Sequence, residues 1–352
     1  MTQILSVRSA FPAYRYGQAE LTAMYADLIG LRPHQRGLLE RLHRNAGVDN
    51  RHTVLPLAEY ATIGGFGSAN DRYIEEATSL GERALRAALD AADVRPCDID
   101  LLIVTSVTGV TVPSLDARLI PRLGLRPDVK RLPVFGLGCL AGAAGLARLH
   151  DYLLGWPGCV AALLAVEICS LSAPVTAVTR ADMVVSGLFG DGAAAVIATG
   201  AAAPDVAPMP QMLATRSEVY PDSGDALGWR LSSDGFRMIL TTRLPAVVEQ
   251  GLAETVTSFL ASHGLTVDDI GTWICHPGGP RVIDAVRDSL KLPEPALASS
   301  RQSLATVGNL SSASVLHILE QVTRGPDISP GSLGLMVGLG PGVSAELILL
   351  QW

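Results

Sequence analysis

Charge is sparse in this chain: Asp, Glu, Lys and Arg make up 17% of the 352 residues, aromatic residues only 5%, and the net charge of −7 is spread without a basic block. The electrostatic footprint of a nucleic-acid or anionic-lipid binder is therefore missing, and nucleic acid is excluded as an expected partner. No apolar run approaches the length of a membrane span. The opening MTQILSVRSAFPAYRYG has none of the charged, apolar and small-residue regions of a secretory leader, so a cytoplasmic protein is the expectation. The five cysteines, Cys97, Cys139, Cys159, Cys169 and Cys275, are odd in number and show neither C-x-x-C nor His-rich spacing. That excludes a disulfide framework and a zinc site.

What the chain has in quantity is small and hydrophobic. A composition of 48% hydrophobic residues with 35 Gly and 22 Pro describes a tightly packed globular enzyme rather than a disordered or fibrous chain. The length suits two fused halves better than one small module.

The halves are visible as an internal repeat. Apolar residues at helical spacing from Ile74 to Ala92 lead through VRPCDID into the apolar run Leu101–Val104, the pattern of a buried parallel strand. Leu244 to Ser262, GLTVDDIG and Thr272–Cys275 repeat that order. Beyond each Asp-Ile pair lies Gly-Cys-Leu-Ala-Gly-Ala (Gly138–Ala143) or Gly-Asn-Leu-Ser-Ser-Ala (Gly308–Ala313), each opening an apolar helix. Cys139 and Asn309 therefore hold equivalent positions. The Pro- and Ala-rich stretch Ala201–Pro210 reads as the divider, giving an N-terminal half over residues 1–200 and a C-terminal half over 201–352.

Three residues carry candidate chemistry. At a helix N-terminus, unpaired N–H groups and the macrodipole would favour Cys139 as thiolate and nucleophile; the alternative is an inert buried cysteine, which suits Cys97, Cys159 and Cys275. His276 ends an apolar strand in Trp273-Ile-Cys-His-Pro-Gly-Gly-Pro and is projected into a rigid turn. The other six of seven histidines, His34, His43, His52, His150, His263 and His317, read as structural. Asn309 alone would be a helix N-cap. If the halves pack about a pseudo-twofold axis, its helix start meets that of Cys139 and the amide can donate to an oxyanion beside His276.

As they stand, Gly138-Cys-Leu-Ala-Gly, Leu188-Phe-Gly-Asp-Gly-Ala, His276-Pro-Gly-Gly-Pro, Gly308-Asn-Leu-Ser-Ser-Ala-Ser and Gly338-Leu-Gly-Pro-Gly resemble the type III polyketide synthase, or chalcone synthase-like, family over most of the chain. The resemblance implies a thiolase-like duplicated α/β/α/β/α layered fold, a homodimer, acyl-CoA starters and malonyl-CoA extenders, and neither a metal nor a bound organic cofactor. It implies acylation at Cys139, with His276 keeping it as thiolate and His276 and Asn309 stabilising the enolate formed on decarboxylation. Phe189 matches the gatekeeping aromatic. The cavity would also be lined by Val107, Val112, Cys169, Ser172, Trp229, Met238, Ser311 and Leu339, and CoA would be held by Arg41, Arg44, Gly278 and Ala313.

The departures bear on substrate. Met238 replaces a second gatekeeper aromatic, Leu339 replaces a Phe, and Val107, Cys169 and Ser172 stand where plant chalcone synthases have threonines. Gly228-Trp-Arg-Leu-Ser-Ser-Asp-Gly-Phe-Arg resembles bacterial members that make alkylpyrones and alkylresorcinols, implying fatty acyl starters. A second branch, the tetrahydroxynaphthalene synthases, uses malonyl-CoA as starter and extender and is matched by half of a two-cysteine signature, at Cys169 but not Ser172. For the CoA phosphates, Arg36, Arg41, Arg44 and Arg51 are candidates. The competing readings are a carrier-protein-dependent single-condensation enzyme like ketoacyl-ACP synthase III, and a catalytically silent thiolase-fold subunit.

Overall fold

A computed structural model describes residues 1–172, 178–200, 209–232, 235–325 and 328–352. One nine-stranded sheet runs through the molecule. Its N-terminal share is β1 (Thr2–Ala10), β4 (Leu101–Thr105), β5 (Lys130–Val134), β6 (Val160–Glu167) and β7 (Gly192–Thr199), after the small hairpin-like pair β2 (Tyr14–Gly17) and β3 (Asn50–Thr53) is set aside. Its C-terminal share is β8 (Gln211–Val219), β11 (Ile270–Cys275), β12 (Leu333–Gly340) and β13 (Ser344–Gln351), with β9 (Leu227–Ser232) and β10 (Gly235–Leu240) forming a separate ribbon.

The strand order β11-β12-β13-β8-β1-β7-β6-β4-β5 carries the duplication. From the central β1–β8 junction outward, each side runs through two antiparallel pairings and then a parallel one: β1–β7, β7–β6 and β6–β4 on one side, β8–β13, β13–β12 and β12–β11 on the other. Only the N-terminal side adds a further parallel edge strand, β5.

The helices are α1 (Gln18–Leu28), α2 (Pro33–Arg44), α3 (Gly65–Ala92), α4 (Leu115–Leu123), α5 (Ala141–Gly155), the short α6 (Cys169–Ser172) and α7 (Arg180–Val185), then α8 (Leu244–Ala261), α9 (Pro280–Leu290), α10 (Ala298–Val307) and α11 (Ser314–Thr323). α5 and α11 lie between the half-sheets, α3 and α4 cover the outer face of one, and α8 and α9 the outer face of the other. Strands with helices on both faces are buried on both faces. In β6, Ala161, Leu163 and Ala165 point to the central helices while Ala162, Leu164 and Val166 point to the outer layer. This is why such strands read as continuous apolar runs. The architecture is the thiolase-like one.

The predicted elements recur with small shifts. The strands extend to Thr105 and back to Ile270, and α8 ends at Ala261. α3 starts at Gly65, nine residues before the apolar periodicity begins at Ile74, because Ala69 and Tyr73 anchor its polar first turns in the core. Part of the predicted divider, residues 201–208, lies outside the described residues. Among the described residues no helix is long and apolar enough to cross a membrane.

Candidate active site

The two helix starts singled out by the repeat meet at the middle of the molecule. After β5 the chain passes Gly136 and Gly138, both with positive φ, into a 3₁₀ turn over Gly138–Leu140 that carries Cys139 and runs into α5. On the other side Asn309 follows Gly308, and a 3₁₀ turn over Ser311–Ala313 precedes α11. The packing there leaves no room for side chains. A Cβ on Gly142 would lie 1.9 Å from the carbonyl oxygen of Ser312, and one on Gly138 would lie 2.5 Å from Pro341. The thiol of Cys139 donates to Ser311 Oγ across this seam at 3.5 Å.

Asn309 is held in one orientation. The backbone N–H of Ser311 donates to its Oδ1 at 2.8 Å and Ser314 Oγ does so at 3.3 Å. Since an N–H can only donate, the accepting end is the oxygen, and the carboxamide NH₂ is left as the end without a partner among the described residues. The backbone of Asn309 is in turn paired with the Leu188–Gly190 segment: its N–H donates to Leu188 O at 2.8 Å, and Gly190 N–H donates to its carbonyl at 3.0 Å. A Cβ on Gly190 would stand 2.5 Å from Val307 O, which explains glycine there. Phe189 is thereby registered against Asn309.

His276 extends the ladder of β11, its N–H donating to Val337 O at 2.9 Å. Its side chain is buried, and Nδ1 is fully enclosed without a hydrogen-bond partner among the described residues. Burial pushes its pKa down to about 4, so the resting imidazole is neutral. An unpaired buried ring nitrogen calls for an explanation, which a reacting role would supply for His276; His317 Nε2 is unpaired in the same way.

Electrostatics correct one expectation. Burial pushes the pKa of the Cys139 thiol up to about 12, with the Glu167 carboxylate adding to the rise, rather than down as expected from a helix start. The loss of hydration around the sulfur outweighs the hydrogen bond to Ser311 and the partial charge of the helix start. The N-cap positions of this turn and of α5 are Leu137 and Leu140 rather than Cys139.

Glu167 escaped the sequence reading, although an acid ending the apolar strand Val-Ala-Ala-Leu-Leu-Ala-Val-Glu was a usable signal. It is fully buried, accepting from Ser312 Oγ at 2.5 Å, Thr108 Oγ1 at 2.9 Å and Val107 N–H at 3.1 Å, and burial raises its pKa.

Beside Cys139, starting at Ser311, lies a cavity of about 240 Å³. Cys169, Ser172, Phe189, Trp229, Met238 and Ser311 line it, with Met24, Tyr60, Phe66 and Ser170 among further wall residues that had not been singled out. Trp229 and Met238 face each other across the β9–β10 ribbon, and Trp229 packs edge-on against Phe236 with ring centroids 6.2 Å apart.

Three predicted lining residues are elsewhere. Val112 is 98% exposed, on a surface loop, and cannot reach the cavity of its own chain. Leu339 is on the outward-facing side of the β12 pleat, packed with Leu335 and Val337 against the α8–α9 layer. Val107 is buried with its N–H on Glu167, and its neighbour Thr108 lines the cavity instead.

The CoA candidates also divide. Ala313 is completely buried in the central helix layer and offers CoA no surface. Arg51 is buried and spent on Gln18 Oε1 and Phe189 O, and Arg36 is paired with Asp27 at 2.6 Å. Arg41 and Arg44 are exposed in the last turn of α2, and Gly278 is half-buried two residues beyond His276.

Comparison with known proteins gives a concordant result. The family described as chalcone and stilbene synthases matches by its N-terminal domain over residues 1–203 and by its C-terminal domain over residues 211–352. A 1,3,6,8-tetrahydroxynaphthalene synthase of Streptomyces peucetius subsp. caesius is 52% identical over 352 residues, covering 100% of this chain and 93% of the relative. An alpha-pyrone synthesis polyketide synthase-like protein of Mycobacterium tuberculosis is 30% identical over 350 residues, covering 95% and 87%. The crystal structure of 1,3,6,8-tetrahydroxynaphthalene synthase from Streptomyces coelicolor superimposes with a TM-score of 0.93 at 32% identity, covering 99% of each chain.

Proposed function

Because the chain belongs to the chalcone and stilbene synthase family and is a type III polyketide synthase, a decarboxylative condensing acyltransferase, we propose that it uses malonyl-CoA as both starter and extender on Cys139 and releases a tetrahydroxynaphthalene-type product. The choice of malonyl over the fatty acyl starter implied by the Gly228–Arg237 segment draws on the 52% identity to a tetrahydroxynaphthalene synthase across the full chain. It also draws on the modest cavity, about 240 Å³, which lies below the usual range of about 300–1,000 Å³ for small-molecule sites and suits a short folded chain better than a long alkyl tail.

The observation that carries the chemistry is the 3.5 Å contact between Cys139 Sγ and Ser311 Oγ, which brings the nucleophile to the turn beside Asn309. In this reading neutral His276 takes the Cys139 proton as an acyl-CoA arrives, forming the thioester and releasing CoA thiol. Decarboxylation of the next malonyl-CoA leaves an enolate. Its oxygen is met by the NH₂ of Asn309 and by His276, and its carbon attacks the Cys139 thioester, forming the C–C bond as the acyl C–S bond breaks, so that Cys139 leaves as thiolate and the extended chain is carried on the extender's CoA. Arg41 and Arg44 offer the cations for CoA phosphates, with Gly278 beside the pantetheine path.

A homodimer completes the reading. Among the described residues the edge strand β5 is unpaired on its outer side, and Val110, Val112, Leu132, Phe135 and Leu137 stand exposed on and beside it, an apolar edge suited to a second copy. Sizing by light scattering tests the dimer. Incubation with malonyl-CoA alone, set against a panel of fatty acyl-CoA starters with product mass spectrometry, tests the substrate. A product that appears only when a fatty acyl-CoA is supplied overturns the malonyl-primed assignment.

A further inference from the structure

One wall of the cavity carries a hydrogen-bonded chain that the condensation chemistry does not use. Tyr60, in the 3₁₀ turn Leu57–Thr62, donates its hydroxyl to Ser170 Oγ at 2.7 Å, and Ser170 Oγ donates to Asp191 Oδ2 at 2.5 Å. Tyr60 and Ser170 both line the cavity, whereas Asp191 is fully buried behind them. Asp191 is fixed by two backbone donors, Ser170 N–H to Oδ1 at 2.8 Å and Val54 N–H to Oδ2 at 2.9 Å. Both donations in the chain run away from the cavity, so the arrangement is set to draw a proton from the cavity into the protein.

We propose that Tyr60, Ser170 and Asp191 are a proton relay for ring closure, with the Tyr60 hydroxyl oxygen as the group that meets the polyketide. The proposal rests on the reading of this cavity as the place where the extended chain folds. A methylene between two ketones gives its proton to Tyr60 Oη as the Tyr60 proton passes to Ser170 Oγ and the Ser170 proton to Asp191 Oδ2. The electron pair left on carbon attacks a carbonyl carbon further along the chain, making the C–C bond and breaking the C=O π bond. The alkoxide so formed takes the proton back through the same three groups. The step is proton-neutral and needs no other reactant.

The surroundings suit each member. Burial raises the pKa of Tyr60 well above its ordinary value, so the phenol passes protons without resting as an anion. Burial also lifts Asp191 to about 6, despite its hydrogen bonds and the nearby Arg51. A carboxyl titrating near neutrality can both accept and return a proton. The charged and titratable groups that face Asp191 are Arg51 of β3, Tyr60 of the Leu57–Thr62 turn and Cys169 of α6.

The test uses the full-length enzyme with malonyl-CoA and reads two quantities: CoA release, which follows loading and condensation, and the ratio of carbocyclic to pyrone products by mass spectrometry. Tyr60→Phe is expected to lower the ratio by about 10²-fold, the scale of one positioned acid–base group, as stranded chains lactonise, a loss much larger than any in CoA release. Ser170→Ala is expected to shift the ratio in the same direction. The wild-type ratio should fall as pH drops through about 6, following Asp191, and that dependence should vanish in Tyr60→Phe. Normal CoA release with an unchanged ratio in both variants overturns the relay alone, as does an equal loss of both quantities, which marks a structural role. Absence of CoA release by the wild type overturns the function and the relay with it.

Discussion

Cys139 and Ser311, 172 residues apart in sequence, are joined by a 3.5 Å sulfur-to-oxygen hydrogen bond, and this contact ties the N-terminal half of the molecule to the C-terminal half at the point where both central helices begin. Cys139 reaches it from the start of α5, and Ser311 from the turn that leads into α11. A cavity wall, a thiol and the oriented amide of Asn309 are thus assembled by one seam.

Replacing Cys139 by Ala should abolish extension and the acyl adduct seen by intact mass after incubation with malonyl-CoA. The fold should persist, since the removed sulfur makes a single weak hydrogen bond. An adduct of normal stoichiometry in this variant would refute the assignment of the nucleophile.

Asn309→Asp keeps an acceptor for Ser311 N–H and Ser314 Oγ but removes the NH₂ donor and adds negative charge where an enolate would form. Decarboxylation should fall by about 10²–10³, the usual cost of losing one oxyanion donor, while the KM for malonyl-CoA changes little. Steady-state kinetics with a decarboxylation readout decide this.

The resting thiol and imidazole should both be uncharged over the working range, because burial lifts Cys139 to about 12 and lowers His276 to about 4. Alkylation of Cys139 by iodoacetamide, read by peptide mapping, should therefore keep rising with pH beyond about 9, past the ordinary cysteine range. A plateau reached between about pH 6 and 7 would reveal instead a preformed thiolate–imidazolium pair.

Gly142→Ala places a methyl carbon 1.9 Å from the Ser312 carbonyl oxygen, on backbone that cannot turn aside as a side chain could. A loss of about 1–3 kcal/mol in unfolding free energy is expected, together with a larger loss of activity as the seam between Cys139 and Ser311 opens. Denaturant unfolding run beside turnover measures both.

Trp229 forms part of the cavity wall and packs on Phe236. Trp229→Ala should enlarge the cavity and raise the use of medium-chain acyl-CoA starters relative to malonyl-CoA, with Cys139 loading by malonyl-CoA retained. A competition assay with mixed starters reads the ratio directly.

How much of this was legible in the sequence differs from residue to residue. The apolar runs of β4 and β11, the helices before them and the matched positions of Cys139 and Asn309 could be read because burial on both sheet faces and helical periodicity leave local patterns. The Gly-rich motifs marked close backbone approaches, since Gly142 and Gly190 stand where a Cβ would strike a carbonyl oxygen. Other features had no local trace. Alternation along β12 turns Leu339 to the outer layer, while Val112 lies on a surface loop, and neither reaches the cavity.

By itself, then, the sequence determined the duplicated α/β architecture and marked Cys139, His276 and Asn309 as the candidate reacting residues, because both are written in local pattern. Tertiary structure alone decided that burial raises the pKa of the Cys139 thiol, that the Asn309 carboxamide accepts from Ser311 N–H through its oxygen, and that Tyr60, Ser170 and Asp191 line up across three segments. Desolvation and hydrogen-bond direction depend on what the rest of the chain brings close, and only the folded molecule specifies that.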